Sequence, residues 1–173
     1  MTAFVVEDGT GLGNATSYVD TSYADDYLGA DWAPDINTKQ ESLIAATEYV
    51  DTRWGGYLKG MPLLSTQPLE FPRINLVNRY NDKVIGIPTD IKKAVCQYAK
   101  LHAGGHLYSD PTKQLDKIKS KSTTIGPITT SITYVDGKVE DNTGWLAFPL
   151  ADNLLRQYLA PVTSRAQVSV MRA

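Results

Sequence analysis

Lys113, Lys117, Lys119 and Lys121 form the one dense basic cluster of the chain, close in sequence to Tyr108 and not far from Tyr134. Single-stranded nucleic acid is held by such a combination, with ammonium groups meeting phosphates and aromatic rings stacking on bases. The same lysines would equally protect an edge strand from unwanted pairing. The overall pI near 5.6 favours that plainer role, because nucleic-acid binders usually carry a basic footprint. Gly9-x-Gly11-x-Gly13 has the glycine spacing of a phosphate-cradling turn, yet no Gly-Lys-Ser/Thr follows and no strong strand-then-helix frame surrounds it, so it reads as a flexible loop. His102 and His106 stand four apart, a spacing that can place two metal ligands on one helix face. Gly104-Gly105 should unwind the helix between them, Cys96 lies six residues before His102 and points elsewhere, and no third ligand is evident. Neither a Gly-x-Ser-x-Gly elbow nor a His-Glu-x-x-His pair occurs. The expectation is a protein without catalytic residues, metal or cofactor.

The charge is distributed unevenly. Residues 1 to 52 hold ten acids and one base, Lys39, whereas the remainder holds nine acids and sixteen bases, so a segment of −9 precedes one of +7 within a net charge of −2. In one folded domain this makes differently charged faces, which suits head-to-tail packing of identical subunits. At 173 residues and 42% hydrophobic content the chain can build one moderate core. No run approaches the roughly 18 consecutive apolar residues of a membrane helix. Met1 to Gly11 carries two acids and no base, unlike a secretory leader. Cys96 stands alone, which excludes an internal disulfide and suits a reducing cytoplasm. Asn14-Ala15-Thr16 is then a coincidental glycosylation pattern.

These residues need elements to position them. Asp20 or Thr21 should cap a short helix running through Tyr23, Ala24, Tyr27 and Leu28, whose spacing puts the apolar residues on one face. Thr38 and Glu41 match a capping box, followed by Leu43, Ala46, Thr47, Val50 and Trp54 at helical spacing and a stop at Gly55-Gly56. Four prolines between 57 and 88 predict a long ordered connection, pinned to the core by Leu69, Phe71, Ile74, Leu76 and Val77. A third helix should start at Pro88 to Asp90, bury Ile91, Ala94, Val95, Tyr98, Leu101 and His102, and end at Gly104-Gly105. Short alternation over about 115–139, rich in threonine, predicts a β-hairpin, with Gly126-Pro127 breaking the run and Asp136-Gly137 as a tight-turn signal. Pro149 should open a last helix with Leu150, Leu154, Leu155, Tyr158 and Leu159, closed by Pro161. The expected fold is mainly α: a small helical bundle over 1–160 with an inserted β-hairpin, then an extended C-terminal arm over 161–173.

Several segments together resemble a known family. Val6-Glu7-Asp8-Gly9-Thr10-Gly11, Asn14-Ala15-Thr16-Ser17-Tyr18-Val19 and Ala24-Asp25-Asp26-Tyr27-Leu28 are similar to the opening of a group of small phage proteins often labelled DnaT-like single-stranded DNA-binding proteins. The resemblance continues through Ala45-Ala46-Thr47-Glu48-Tyr49-Val50-Asp51, through Gln67-Pro68-Leu69-Glu70-Phe71-Pro72-Arg73 (where the family more often has tryptophan than Phe71), and through Ile87 to Val95 and Ile125-Gly126-Pro127-Ile128. It covers most of residues 5 to 160, and fits poorly over 74–86 and beyond 161.

The group resembles head-completion or head-to-tail adaptors, which implies a homo-oligomeric ring, typically dodecameric, beneath a phage portal. The leading expectation is therefore a structural virion protein made in the host cytoplasm and placed at the head–tail junction. It would join the portal protein to a tail or nozzle protein and let double-stranded DNA pass, with no membrane involved. On that reading Val162, Arg165, Val168, Val170, Met171 and Arg172 form the portal-binding arm. Ile125, Ile128, Ile132 and Tyr134 form a hairpin face toward a neighbouring subunit or the tail, and Asp20, Asp25, Asp26 and Asp31 line the lumen. The label implies the alternative, a single-stranded DNA-binding replication accessory protein.

Overall fold

The computed structural model describes residues 3–108, 118–125, 128–135 and 147–160, the two middle segments by backbone alone. The fold is mainly α, with four α-helices among the described residues: α1 Thr21–Leu28, α2 Ile36–Trp54, α3 Thr89–Ala103 and α4 Pro149–Leu155. Two small antiparallel pairs join them, β1 Met61–Pro62 with β2 Arg73–Ile74, and β3 Ile118–Ile125 with β4 Ile128–Val135. No helix among the described residues is long and apolar enough to cross a membrane.

The long helices α2 and α3 pack along each other and make the core. Leu43, Ala46 and Val50 of α2 join Ile91, Ala94, Val95 and Tyr98 of α3 in one core cluster with Tyr18 and Phe71, all with essentially no solvent exposure. Each fully buried Val, Leu or Ile side chain stabilises the fold by about 1.5–3 kcal/mol relative to exposure, so the i, i+3, i+4 spacing in both helices sets how they face. Cys96 is buried in the same stripe, and burial pushes its thiol up to about 12, leaving it an apolar side chain.

The start of α2 departs from the capping-box expectation. Asp35 is the cap: its carboxylate accepts from the backbone N–H of Asn37 and Thr38 at 2.9 Å each, and the Thr38 hydroxyl donates to it. A carboxylate three residues earlier reaches the open N–H groups first, and it also complements the helix dipole. The helix gains a turn, and Thr38 serves the cap instead of being it. In α1, Asp20 caps as expected, accepting from Tyr23 N–H at 2.7 Å.

The proline-rich connection is ordered by polar side chains as much as apolar ones. Phe71 and Leu76 are fully buried and Leu69 packs against the core, but Ile74 lies 38% exposed on β2, so it does not pin the segment as expected. Arg73 does much of that work. Its guanidinium donates to the carbonyls of Lys59 and Gly60 and to the Glu70 carboxylate, tying β2 to the turn before β1. Gly60 has φ of 72°, and a Cβ there would sit 2.3 Å from the Ile74 carbonyl oxygen, so this close approach requires glycine.

The C-terminal helix is shorter than its pattern suggests. It ends at Leu155, passes into a 3-10 turn over Arg156–Tyr158, and Leu159 pairs with Leu58. Leu150 is 67% exposed because Pro149 and Leu150 sit on the outer side of the first turn, while Ala151 and Leu155 face inward. The β3–β4 register closes at Ile125↔Ile128. Gly126-Pro127 and Asp136-Gly137 fall outside the described residues, as does the whole arm 161–173.

Candidate functional site

The glycine-rich loop binds an anion, but the anion is its own. Glu7 is 2% exposed and its carboxylate accepts the backbone N–H groups of Gly9 (2.9 Å), Gly11 (2.8 Å) and Leu12 (2.9 Å). A ring of N–H groups converging on one carboxylate is the arrangement that would otherwise cradle a phosphate. Here the position is filled from within, so the loop is a structural turn with fixed geometry. The sequence signal was present in Glu7 two residues before the first glycine.

The histidines do not come together as ligands. His102 Nδ1 lies 3.0 Å from the Ser42 hydroxyl on α2, and burial holds its pKa below the usual imidazole value. Gly105 takes φ of 70°, turning the chain before the exposed His106. No group of three or more His, Cys, Asp or Glu among the described residues could hold a metal ion.

Of the four acids expected to line a passage, two have internal duties. Asp20 caps α1. Asp25 accepts from Lys39 Nζ at 2.8 Å and from Trp32 Nε1 at 2.8 Å, joining α1 to α2. The hydrogen bond from Lys39 is the main cause holding the Asp25 carboxyl below its ordinary value. Asp26 and Asp31 are exposed.

A further set of charges is buried for stability. Arg53, 4% exposed, donates to Tyr49 Oη at 2.6 Å and to Asp152 at 3.2 Å, and its guanidinium lies 4.5 Å from the Trp54 ring centre. Asp152 also accepts the Phe148 N–H at 2.9 Å and the Tyr98 hydroxyl. One carboxylate thereby anchors the start of α4 to both long helices. Desolvation raises the Tyr98 hydroxyl far above its ordinary value, so it stays a donor.

With these groups accounted for, the described helical body holds fourteen acids and ten bases, and it presents no dense basic patch by count alone. The β3–β4 hairpin is different. Its strands, Ile-Lys-Ser-Lys-Ser-Thr-Thr-Ile and Ile-Thr-Thr-Ser-Ile-Thr-Tyr-Val, contain two lysines and no acid. The register pairs Lys119 with Tyr134, Lys121 with Ile132 and Ile125 with Ile128. Alternate residues of a strand share a face, and directly paired residues share it across the ladder. Lys119, Lys121, Ile125, Ile128, Ile132 and Tyr134 therefore occupy one face, while the other carries Ser120, Ser122, Thr124, Thr129, Ser131 and Thr133 between Ile118 and Val135 at the open end. The structure thus gathers all four expected hairpin residues, together with two of the four clustered lysines. Lys113 and Lys117 lie outside the described residues, as do Val162, Arg165, Val168, Val170, Met171 and Arg172 of the arm. That the lysines share a face with Tyr134 was readable from the even spacing of Lys119 and Lys121, once the turn was placed at Gly126-Pro127.

No curated protein and no solved structure matches the chain. One family model does, over residues 2–173, and on that match the chain belongs to the family described as "Putative DnaT-like ssDNA binding protein".

Proposed function

We propose that the protein is a non-enzymatic accessory factor that binds single-stranded DNA, with the lysine-bearing face of the β3–β4 hairpin as its contact. The carrying observation is the register, which sets Lys119 opposite Tyr134 and Lys121 opposite Ile132 with no acid in either strand. Lysines opposite an aromatic residue on a ribbon without acids suit phosphates and an unstacked base. The family description supports the same reading. A fluorescence titration with oligo(dT) tests it. Binding should weaken steeply with salt, and Lys119→Ala with Lys121→Ala should reduce the slope of log K against log salt by about 1.4. Salt-resistant binding untouched by these changes, or no binding at low salt, overturns the proposal.

The second reading is the ring-forming head-to-tail adaptor, with the portal and a tail protein as partners. It is favoured by exposed apolar side chains: Met61 and Ile74, paired across β1–β2, are 57% and 38% exposed, and Leu63, Leu64 and Ile85 are 38%, 44% and 85% exposed. Several large apolar side chains left open on ordered loops mark a protein–protein surface. Native mass measurement decides: a closed ring of this chain supports it, and Met61→Asp with Ile85→Asp should then yield folded monomers. A monomer at high concentration removes it. Truncation after Ala160 should release the protein from portal-containing heads if the arm is the anchor.

A further inference from the structure

The face of α3 that meets α1 carries a second arrangement of cations and rings. Lys93, Gln97 and Lys100 stand at i, i+4 and i+7, which places them on one face over about 10 Å. Lys92 Nζ lies 5.8 Å from the Tyr23 ring centre, and Lys93 Nζ lies 5.9 Å from that of Tyr27. Gln97 Nε2 donates to the Tyr27 hydroxyl at 3.3 Å. Tyr23 and Tyr27 are both half-exposed and four residues apart on α1, a rise of about 6 Å. That is well beyond the roughly 3.4 Å between stacked nucleotides of one strand, so two rings at this spacing suit bases drawn apart from one another.

The row continues into an open groove. A cavity of about 470 Å³ lies between α3 and the start of α4, walled by Gln97, Lys100, Leu101, His106, Phe148 and Leu150. Its lining is mainly apolar and includes Lys100, so it offers a hydrophobic surface beside a cation. Phe148 is held at one side, edge-on to Tyr98 at 6.0 Å and to Tyr49 at 6.3 Å. A fixed ring next to an exposed lysine is a stacking platform beside a phosphate contact. Asp20 and Asp90 stand near the Lys92 end and offset part of its charge. Asp90 is itself held by Gln157 and Tyr158.

We infer that the face formed by Tyr23, Tyr27, Lys93, Gln97 and Lys100, leading into the groove at Phe148, is a track for a few nucleotides of single-stranded nucleic acid. The occupant is set by charge complementarity with the lysines and by the spacing of the rings. The inference rests on the single-strand-binding reading above and extends its footprint from the hairpin onto the helical body. The strand would enter along α1 and reach the groove between α3 and the start of α4.

The full chain is titrated with oligo(dT) in three forms: unaltered, Lys93→Ala with Lys100→Ala, and Lys119→Ala with Lys121→Ala. Circular dichroism melts check that each form is folded. If the track is used, the α3 pair weakens binding about tenfold and lowers the salt slope by about 1.4, independently of the hairpin pair. Photo-crosslinking of 5-iodo-deoxyuridine strands should then map to Tyr27 or Phe148. If the unaltered chain binds and only the hairpin pair weakens it, with no crosslink on α1 or at Phe148, this inference fails and the hairpin reading stands. If the unaltered chain does not bind at low salt, both fail together.

Discussion

The helical body and the hairpin use charge in opposite ways. In the body the buried and half-buried acids and arginines are committed to holding the chain: Glu7 fills the glycine loop, Asp51 joins α2 to the connection, Arg73 ties down β1, and Arg53 with Asp152 anchors α4. In the hairpin, two lysines share a face with isoleucines and a tyrosine, and neither strand contains an acid to neutralise them. Charged groups buried with good partners define a fold, because removing one partner strands the other away from water. Charged groups without buried partners contribute little to stability. The same residue types therefore predict opposite outcomes when replaced.

The largest effect expected is at α4. Asp152→Ala removes one carboxylate partner of the buried Arg53 and the acceptor for Phe148 N–H and Tyr98. It should destabilise the protein by about 3 kcal/mol, read from urea midpoints. A loss below about 1 kcal/mol would show that solvent or other partners satisfy Arg53 once α4 loosens.

Asp51 should give the clearest pH signature. It accepts from Tyr18 Oη at 2.6 Å and from Glu70 N–H at 3.1 Å, and burial pushes its pKa up to about 7 despite those bonds. A carboxyl raised in the fold contributes stability below its unfolded value. That contribution is lost as pH climbs through the folded value, here between about 4 and 7. Stability should thus fall by about 2 kcal/mol from pH 5 to pH 8 on account of this group, and Asp51→Asn should flatten that part of the profile. An unchanged slope in the variant would assign the dependence elsewhere.

A smaller loss is expected at the start of α2. Asp35→Ala should lower the urea midpoint, and Thr38→Ala should lower it less, since Asp35 accepts both backbone N–H groups. Equal losses would restore Thr38 as the main cap. The smallest stability effect belongs to the hairpin: Lys119→Glu with Lys121→Glu should shift the urea midpoint by no more than about 0.5 kcal/mol while abolishing oligo(dT) binding. Global unfolding of that variant would merge the two regions into one cooperative unit and end the contrast.

Much of the architecture was legible in the residues. Helical spacing of Leu43, Ala46 and Val50, and of Ile91, Ala94, Val95 and Tyr98, located the two long helices because burial demands that period. Glycine pairs marked where both stop, and threonine-rich alternation located the hairpin. Ile74 and Leu150 were misplaced, since a short element has too few residues for its pattern to say which side meets the core. The capping box was misread because an aspartate three residues earlier competes for the same N–H groups, and only backbone geometry selects between them.

The candidate site divides along the same line. Sequence alone determined that lysines and a tyrosine flank one ribbon, because strand alternation is a property of neighbouring residues. It could not show that Glu7 folds into the glycine loop, that Asp25 belongs to Lys39 and Trp32, or that Lys92 and Lys93 on α3 reach Tyr23 and Tyr27 on α1. Those pairings join residues brought together by packing, many of them distant along the chain. Their partners are chosen by which helix faces the core buries, so the tertiary structure decided which charges hold the protein together and which remain for a ligand.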